Sequence, residues 1–437
     1  MSESIVDNIV PSGNSSVAIP TDISGQILDL DEDDDLEVFS KDTSTTLTDG
    51  SSFNASMQTS PASMINQYKL EEEEEDADTK DIFVTVDNPE SHVTAIETYI
   101  TYRVETKTTR SEFDSSEFEV RRRYQDFLWL KGRLEEAHPT LIVHPLPEKF
   151  VMKGMVERFN EDFIETRRRA LHKFLNKIAQ HPIFSSSEDF KIFLTAGTGE
   201  LTSHKKQGPG FLSRMGETVK AVAAAVRGVR NRPQEFTDMQ EYAEAFSQKI
   251  SSLDKITQRI IREQKEYLEE LKECGPTYTL WSQSEEELAE PLKNVAGCED
   301  RCYKETEEQV KHLNDHLIPV LHEYVLCADT LKAVLRRRDN IQADFEGKAE
   351  ALATKKADRD AMSDELDKAE NRLEGANNAL KSDWIRWQKV MRSDLRSAFI
   401  DTAERNVSYY EKCLAVWETF LQSQRTDAEG NGKVDSS

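Results

Sequence analysis

Arg121, Arg122, Arg123 and Tyr124 stand together, followed by the run Pro145-Leu146-Pro147-Glu148-Lys149 and then by Arg167, Arg168 and Arg169. These residue types suit recognition of a phosphorylated sugar. A guanidinium offers a planar fork of donors to phosphate oxygens, a lysine adds a point charge, and an aromatic ring packs on the face of a sugar. The whole chain carries a formal net charge of -26, from 56 Lys and Arg against 82 Asp and Glu. The cations are therefore a local concentration, which points to one anionic ligand in one pocket and excludes nucleic acid as the main partner. Each arginine run alone reads as the solvated face of an element. The combination with Tyr124 and Lys149 singles out a site.

No activated nucleophile, Gly-rich phosphate loop or His-Glu-x-x-His motif accompanies these residues, so no catalytic residue and no enzyme is expected. The nearest metal-like pattern is Cys298 and Cys302 followed by His312 and His316. On one helix Cys302 and His312 would lie about 15 Å apart along the axis, too far for the ~2 Å bonds of one tetrahedral zinc. The expectation is no metal and no cofactor. Five cysteines without disulfide spacing read as reduced thiols of a cytosolic chain. No run approaches the roughly 20 apolar residues of a membrane span, so any membrane contact is expected to be peripheral.

Charge divides the chain into the elements that must position these residues. Residues 1–79 hold 19 acidic and 2 basic side chains. Such a segment buries too little apolar surface to offset its ordering entropy, and reads as a disordered acidic tail. Residues 80–197 are nearly balanced, with 18 basic and 19 acidic side chains. Here residues 82–86 are largely β-branched, Ile96, Thr98, Ile100, Tyr102 and Val104 alternate, and Phe118, Val120 and Tyr124 continue the strand signals. Helical spacing follows over 126–137, then a proline-punctuated loop at 144–147, then an amphipathic helix over 157–180. Strands followed by helices predict a small α+β domain.

Residues 198–235 form a cationic linker with 7 basic and 3 acidic side chains. Within it, over about 211–230, Phe211, Met215, Val219, Val222 and Val226 make an apolar stripe rimmed by Arg214, Lys220, Arg227 and Arg230. That pattern suits a helix lying in a lipid interface, with a helix docked between domains as the other reading.

Residues 236–425 carry the cleanest periodicity. Phe246, Ile250, Leu253, Thr257, Ile260, Gln264, Tyr267 and Leu271 step by four and three, as do Leu313 to Phe345 and Leu366 to Met391. Sustained heptads predict three long antiparallel helices. The first should end near Ser282, and Ser284-Glu285-Glu286-Glu287 reads as a capping box opening the second. The break before the third is expected over 356–362, with bends at Pro319 and at Gly275-Pro276. Arg336, Arg337, Lys355 and Lys356, with Arg338, Lys348 and Arg359, gather near that break. They are candidate contacts with an anionic membrane, pairing within the helices being the other reading. Residues 426–437 read as a disordered end.

Arg122-Arg123-Tyr124-Gln125-Asp126-Phe127, the Pro145–Lys149 run and Thr166-Arg167-Arg168-Arg169-Ala170-Leu171 together resemble the phox-homology (PX) domain of sorting nexins. The long-helix region resembles the BAR domain of their PX-BAR subgroup, and the likeness spans residues 80–425. It implies a PX domain, a three-stranded antiparallel sheet plus helices, followed by an all-α BAR domain of three long bent antiparallel helices. It also implies binding of phosphatidylinositol 3-phosphate. Arg123 would grip the 3-phosphate, Tyr124 would pack beneath the inositol ring, Lys149 would meet the 1-phosphate, and Arg167 would bond the 4- and 5-hydroxyls. The resemblance further implies a homodimer, or a heterodimer with another PX-BAR sorting nexin, on the cytosolic face of early endosomes. There it would sense or shape curved membrane in protein sorting, recycling and autophagy-linked traffic. The competing reading is a coiled-coil scaffold or partner subunit with little direct lipid binding.

Overall fold

The computed structural model describes residues 81–94, 98–148, 161–207, 229–354 and 359–431. The expectations for the acidic tail, for Lys149, Lys355 and Lys356, and for Phe211, Arg214, Met215, Val219, Lys220, Val222 and Val226 lie outside the described residues. Thr79–Glu90 and Thr101–Ser437 belong to one unit, which contains the core and the site.

Three strands, β1 (Ile82–Val93), β2 (Thr98–Thr108) and β3 (Glu117–Arg123), form a sheet in the order β1-β2-β3. β2 and β3 are antiparallel, with Thr101 opposite Arg123, Tyr102 opposite Arg122 and Val104 opposite Val120. The alternation is visible in burial: Ile82, Val84 and Val86 face the core in β1, as do Tyr102 and Val104 in β2. Tyr124, expected to extend the third strand, instead opens α1 (Tyr124–Ala137). The Asp126 carboxylate accepts the backbone N–H of Arg123 at 2.7 Å, closing the first turn and ending the strand there. Helix α2 (Glu161–Ala179) supplies Leu171, Phe174, Leu175 and Ile178 to this core. α3 (Glu188–Thr195) adds Phe190 and Phe193, and α4 (Thr198–Gln207) follows.

The remaining helices are α5 (Gln234–Ser282), α6 (Ala289–His312), a π-helical turn (Leu313–Leu317), α7 (Ile318–Thr354) and α8 (Arg359–Asn431). α5 ends where expected and runs unbroken through Pro276. Gly275 is buried against α6, where an added Cβ would run into the Asp300 carboxylate. The serine of the expected capping box does other work: Ser284 Oγ donates to the Trp281 carbonyl at 3.0 Å, so it finishes α5. α6 therefore begins later, at Ala289. The π turn lies just before Pro319, whose ring cannot donate to, and crowds, the carbonyl four residues back. α8 continues to Asn431, past the boundary expected at 425.

Side-chain pairs show how these helices run. Ser247 meets Lys332 at 2.9 Å and Lys265 meets Asn314 at 3.4 Å. Thr306 meets Tyr409 at 3.0 Å, Tyr324 meets Asp394 at 2.9 Å and Arg338 meets Asn377 at 2.8 Å. As numbers rise on one member they fall on the other, which is the antiparallel arrangement expected. Register within α5 differs from expectation: its buried stripe is Ala243, Ile250, Ile261, Leu268 and Leu271, while Leu253, Ile260, Tyr267 and Trp281 stay exposed. Among the described residues no helix is long and apolar enough to cross a membrane.

The sheet domain is joined to α7 and α8 by a polar seam. Buried His181 and Asp383 pair at 3.0 Å, and Asp383 also accepts the Ile142 N–H at 2.6 Å and Arg386 Nε at 2.7 Å. Lys177 reaches Asp394 at 2.8 Å and Lys173 reaches Glu323 at 2.7 Å. Each buried charge thus has an opposite partner, which offsets the cost of leaving water. A cavity of about 30 Å³ beside the seam, lined by Ile142, His181, Cys327 and Trp387, has room for a water and not for a head group.

Candidate functional site

β3 and α1 meet at Arg123 and Tyr124, and the segment carrying Pro147 and Glu148 packs against them. Tyr124 Oη donates to the Pro147 carbonyl, tying the loop to the start of α1. From α2, Arg167 Nη2 donates to the Glu148 carbonyl at 3.2 Å. The Arg167 guanidinium carbon lies 4.4 Å from the centroid of the Tyr124 ring and 4.4 Å from that of Phe163. Two aromatic faces on one cation hold its side chain by cation–π attraction and restrict its rotamers. Phe163 belongs to the apolar face of the expected amphipathic helix and not to the expected site, although its position four before Arg167 on that helix is the signal for such contact.

Burial pushes the Tyr102 phenol up to about 12, and it also raises that of Tyr124. Both rings therefore stay neutral at physiological pH, and no phenolate competes with an anionic ligand for Arg167. Arg123 is half-buried, one residue before Tyr124 and opposite Thr101. The geometry brings together Tyr124, Arg167, Pro147 and Glu148, with Arg123 adjacent in the chain. Lys149 directly follows Glu148.

The neighbouring arginines are engaged elsewhere. Arg122 is 1% exposed and donates Nε to the Phe193 carbonyl at 2.8 Å and Nη2 to the Ala196 carbonyl at 2.6 Å. It is a core residue tying β3 to α3, and burial lowers its pKa to about 10, still high enough to remain charged. Arg121 pairs with Glu90 at 2.9 Å and donates to the Asn88 carbonyl at 2.8 Å. Arg168 and Arg169 both hold Glu165, whose carboxyl is drawn down to about 2, chiefly by its hydrogen bond from Arg168. Of the opening clusters, four arginines thus have structural employment.

The second basic group is also divided. Arg336 is exposed, while Arg337 donates Nε to the Pro139 carbonyl at 2.8 Å, inside the seam with the sheet domain. Arg338 is fully buried, 3.9 Å from the Phe236 ring centroid. Lys348 pairs with Asp344 of its own helix at 3.2 Å and with Glu365 of α8 at 3.6 Å.

Comparison with known proteins follows the same division of the chain. Residues 110–196 match the family model described as PX domain, and residues 212–393 match that described as Vps5 C terminal like. The chain is 63% identical over 376 residues to sorting nexin-7 of Homo sapiens, covering 86% of this chain and 96% of that protein. It is 47% identical over 375 residues to sorting nexin-30 of Xenopus tropicalis, covering 86% of this chain and 83% of that protein. Among solved structures, the cryo-EM structure of the SNX-BAR Mvp1 tetramer aligns over 77% of this chain and 99% of that chain, with a TM-score of 0.52 at 16% identity. That last likeness shows the fold alone.

Proposed function

The chain belongs to the sorting nexins that join a PX domain to a BAR-like helical region, and from that premise we propose that it binds phosphatidylinositol 3-phosphate on endosomal membranes as a dimer. As a sorting nexin it is a non-enzymatic, membrane-associated sorting adaptor. The observation that carries the lipid reading is Arg167, held between Tyr124 and Phe163 and bonded to the Glu148 carbonyl beside Lys149. A guanidinium already ordered by its neighbours loses little freedom when it meets a ligand. In this reading Arg123 takes the 3-phosphate, Lys149 the 1-phosphate and Arg167 the 4- and 5-hydroxyls, with Tyr124 under the inositol ring. A head group phosphorylated at those hydroxyls would displace the bonds from Arg167, which gives a basis for selectivity.

Dimerisation is supported by the apolar residues that one chain leaves uncovered. Leu253, Ile256, Ile260 and Tyr267 on α5, and Phe399, Val407, Tyr410 and Leu414 on α8, are exposed at helical spacing. A second PX-BAR chain, identical or related, covers such rows in heptad fashion. Two pockets on one body then act with an effective concentration in the millimolar range. The 211–230 segment, Arg336, Lys355 and Lys356 are assigned to the same membrane, with early endosomes, recycling and autophagy-linked traffic as the setting.

Flotation of the full chain with vesicles containing or lacking phosphatidylinositol 3-phosphate tests the reading. Recovery is expected only with that lipid, and Arg123→Gln is expected to abolish it while circular dichroism and dimer mass stay unchanged. Equal recovery on both vesicles favours the scaffold reading, which gains support from the internal engagement of Arg121, Arg122, Arg168 and Arg169.

A further inference from the structure

Where α6 passes into α7 the helix widens into its π turn, Leu313–Leu317. His312 and His316 lie one at its edge and one within it, and their rings stack with centroids 4.4 Å apart and planes 15° from parallel. Asp401 of α8 faces the pair, its Oδ2 2.9 Å from His312 Nε2. One ligand atom from each of the three residues lies within 4.8 Å of the others, the one such set of metal-ligating side chains found among the described residues. His312 is mostly covered, at 19% side-chain exposure, while Asp401 is 50% exposed and His316 is open to solvent.

We propose that His312, His316 and Asp401 bind a divalent ion of the zinc class and so fasten the π turn to α8. Two imidazoles and one carboxylate are the donors that zinc, cobalt and nickel accept, whereas calcium and magnesium take oxygen shells. Metal–nitrogen bonds of ~2.0–2.1 Å place neighbouring donors of one ion about 3–3.5 Å apart. His312 Nε2 and Asp401 Oδ2 already meet that spacing. The two exposed side chains have the rotamer freedom to bring in the third donor. Binding at Nε2 requires His312 to carry its proton on Nδ1, so the metal takes the place of the His312–Asp401 hydrogen bond. Waters would complete the shell.

The location gives the ion a task. Pro319 removes a backbone donor just beyond the π turn, close to where the three side chains gather. π turns of this kind recur at functional sites. An ion shared by residues 312, 316 and 401 joins two antiparallel helices far apart in sequence, and anything that binds only the folded chain stabilises it. The cysteines of the same sequence pattern play no part: Cys298 and Cys302 are buried, and Cys298 Sγ lies 3.8 Å from the Val416 carbonyl oxygen. This inference stands apart from the lipid reading, because none of its residues belongs to the head-group face.

The test is titration of the full chain, stripped with chelator and dialysed, with zinc chloride in a calorimeter and with cobalt chloride in a spectrophotometer. One zinc per chain at micromolar affinity is expected, with weak visible cobalt bands of nitrogen and oxygen ligation. His316→Ala and Asp401→Ala should each weaken binding at least about tenfold, with circular dichroism unchanged, while His204→Ala leaves it intact. Zinc should raise the Tm of the parent chain and leave that of Asp401→Ala unmoved. Absence of binding, undiminished affinity in both variants, or an intense thiolate charge-transfer band with cobalt overturns the proposal.

Discussion

Two arginine triplets, Arg121–Arg123 in β3 and Arg336–Arg338 in α7, are identical in composition and are put to different uses. In the strand, successive side chains point to opposite faces. Arg122 alone enters the core, and Arg121 and Arg123 share the other face. In the helix, successive residues turn by about 100°, and the triplet fans out. Arg336 is exposed, Arg337 lies against the Pro139 carbonyl, and Arg338 is wholly buried over Phe236. A run of cations is therefore a statement about periodicity before it is one about ligands. The strand presents two of its three arginines outward, and the helix one.

The sharpest way to break this comparison is to truncate the buried member of each triplet. Arg338→Ala should cost about 3–5 kcal/mol, the usual range for emptying the space of a large, fully buried side chain. It strips Asn377 and the Phe236 ring of their partner, although Asp339 keeps its ion pair with Arg232. Arg338→Met should lose much less, because an apolar side chain of similar reach can still cover Phe236. Arg122→Ala should follow at about 2–3 kcal/mol, leaving the Phe193 and Ala196 carbonyls without their charged donor. Urea unfolding followed by far-UV circular dichroism measures all three. If Arg121→Ala proves costlier than Arg122→Ala, the strand rule does not govern this edge.

Much of this was legible in the residues because it depends on local spacing. The alternation of Tyr102 and Val104 and the stripe through Leu171, Phe174 and Ile178 follow from period. What escaped was set by contacts distant in sequence. The core place of Arg122 depends on carbonyls more than 70 residues on, and that of Arg338 on Phe236. In α5 the heptads mark a helix, yet two apolar stripes run along it, and spacing alone does not say which one the same chain covers. Ser284 satisfied the rule for opening a helix while closing the one before it, since a serine hydroxyl can serve either end. At the site, the joint position of Tyr124 and Arg167 needed the fold, whereas Phe163 could have been found from its i, i+4 spacing.

The seam that holds Arg337 offers a smaller effect, read by pH. Burial lowers the pKa of His181 below its ordinary 6.5, and Asp383, though buried, is held below its ordinary 3.8 by its hydrogen bond from His181 and by Arg386. The folded seam thus binds protons less readily than the unfolded chain at both groups. The His181 contribution is present above about pH 6.5 and fades as pH falls below it, and that of Asp383 is lost at still lower pH. Melting temperature should fall from about pH 7 to about pH 5, and His181→Gln should flatten that fall. A parent chain whose Tm is level over this interval would show that His181 is as basic folded as unfolded.

The smallest expected effect belongs to Arg336. Its side chain is exposed, so Arg336→Ala should change stability by no more than about 0.5 kcal/mol. Arg337→Ala, which gives up the 2.8 Å bond to the Pro139 carbonyl, should cost about 1 kcal/mol. On anionic vesicles the order should reverse. A cation close to such a surface contributes about 1 kcal/mol, and of the triplet only Arg336 is exposed. Arg336→Glu should therefore lower flotation several-fold with an unchanged urea midpoint, while Arg337→Ala should move the midpoint and leave flotation nearly alone. Should both variants lose stability and lipid recovery together, the graded fan of the α7 triplet is wrong, and the division between its packed and exposed arginines must be drawn elsewhere.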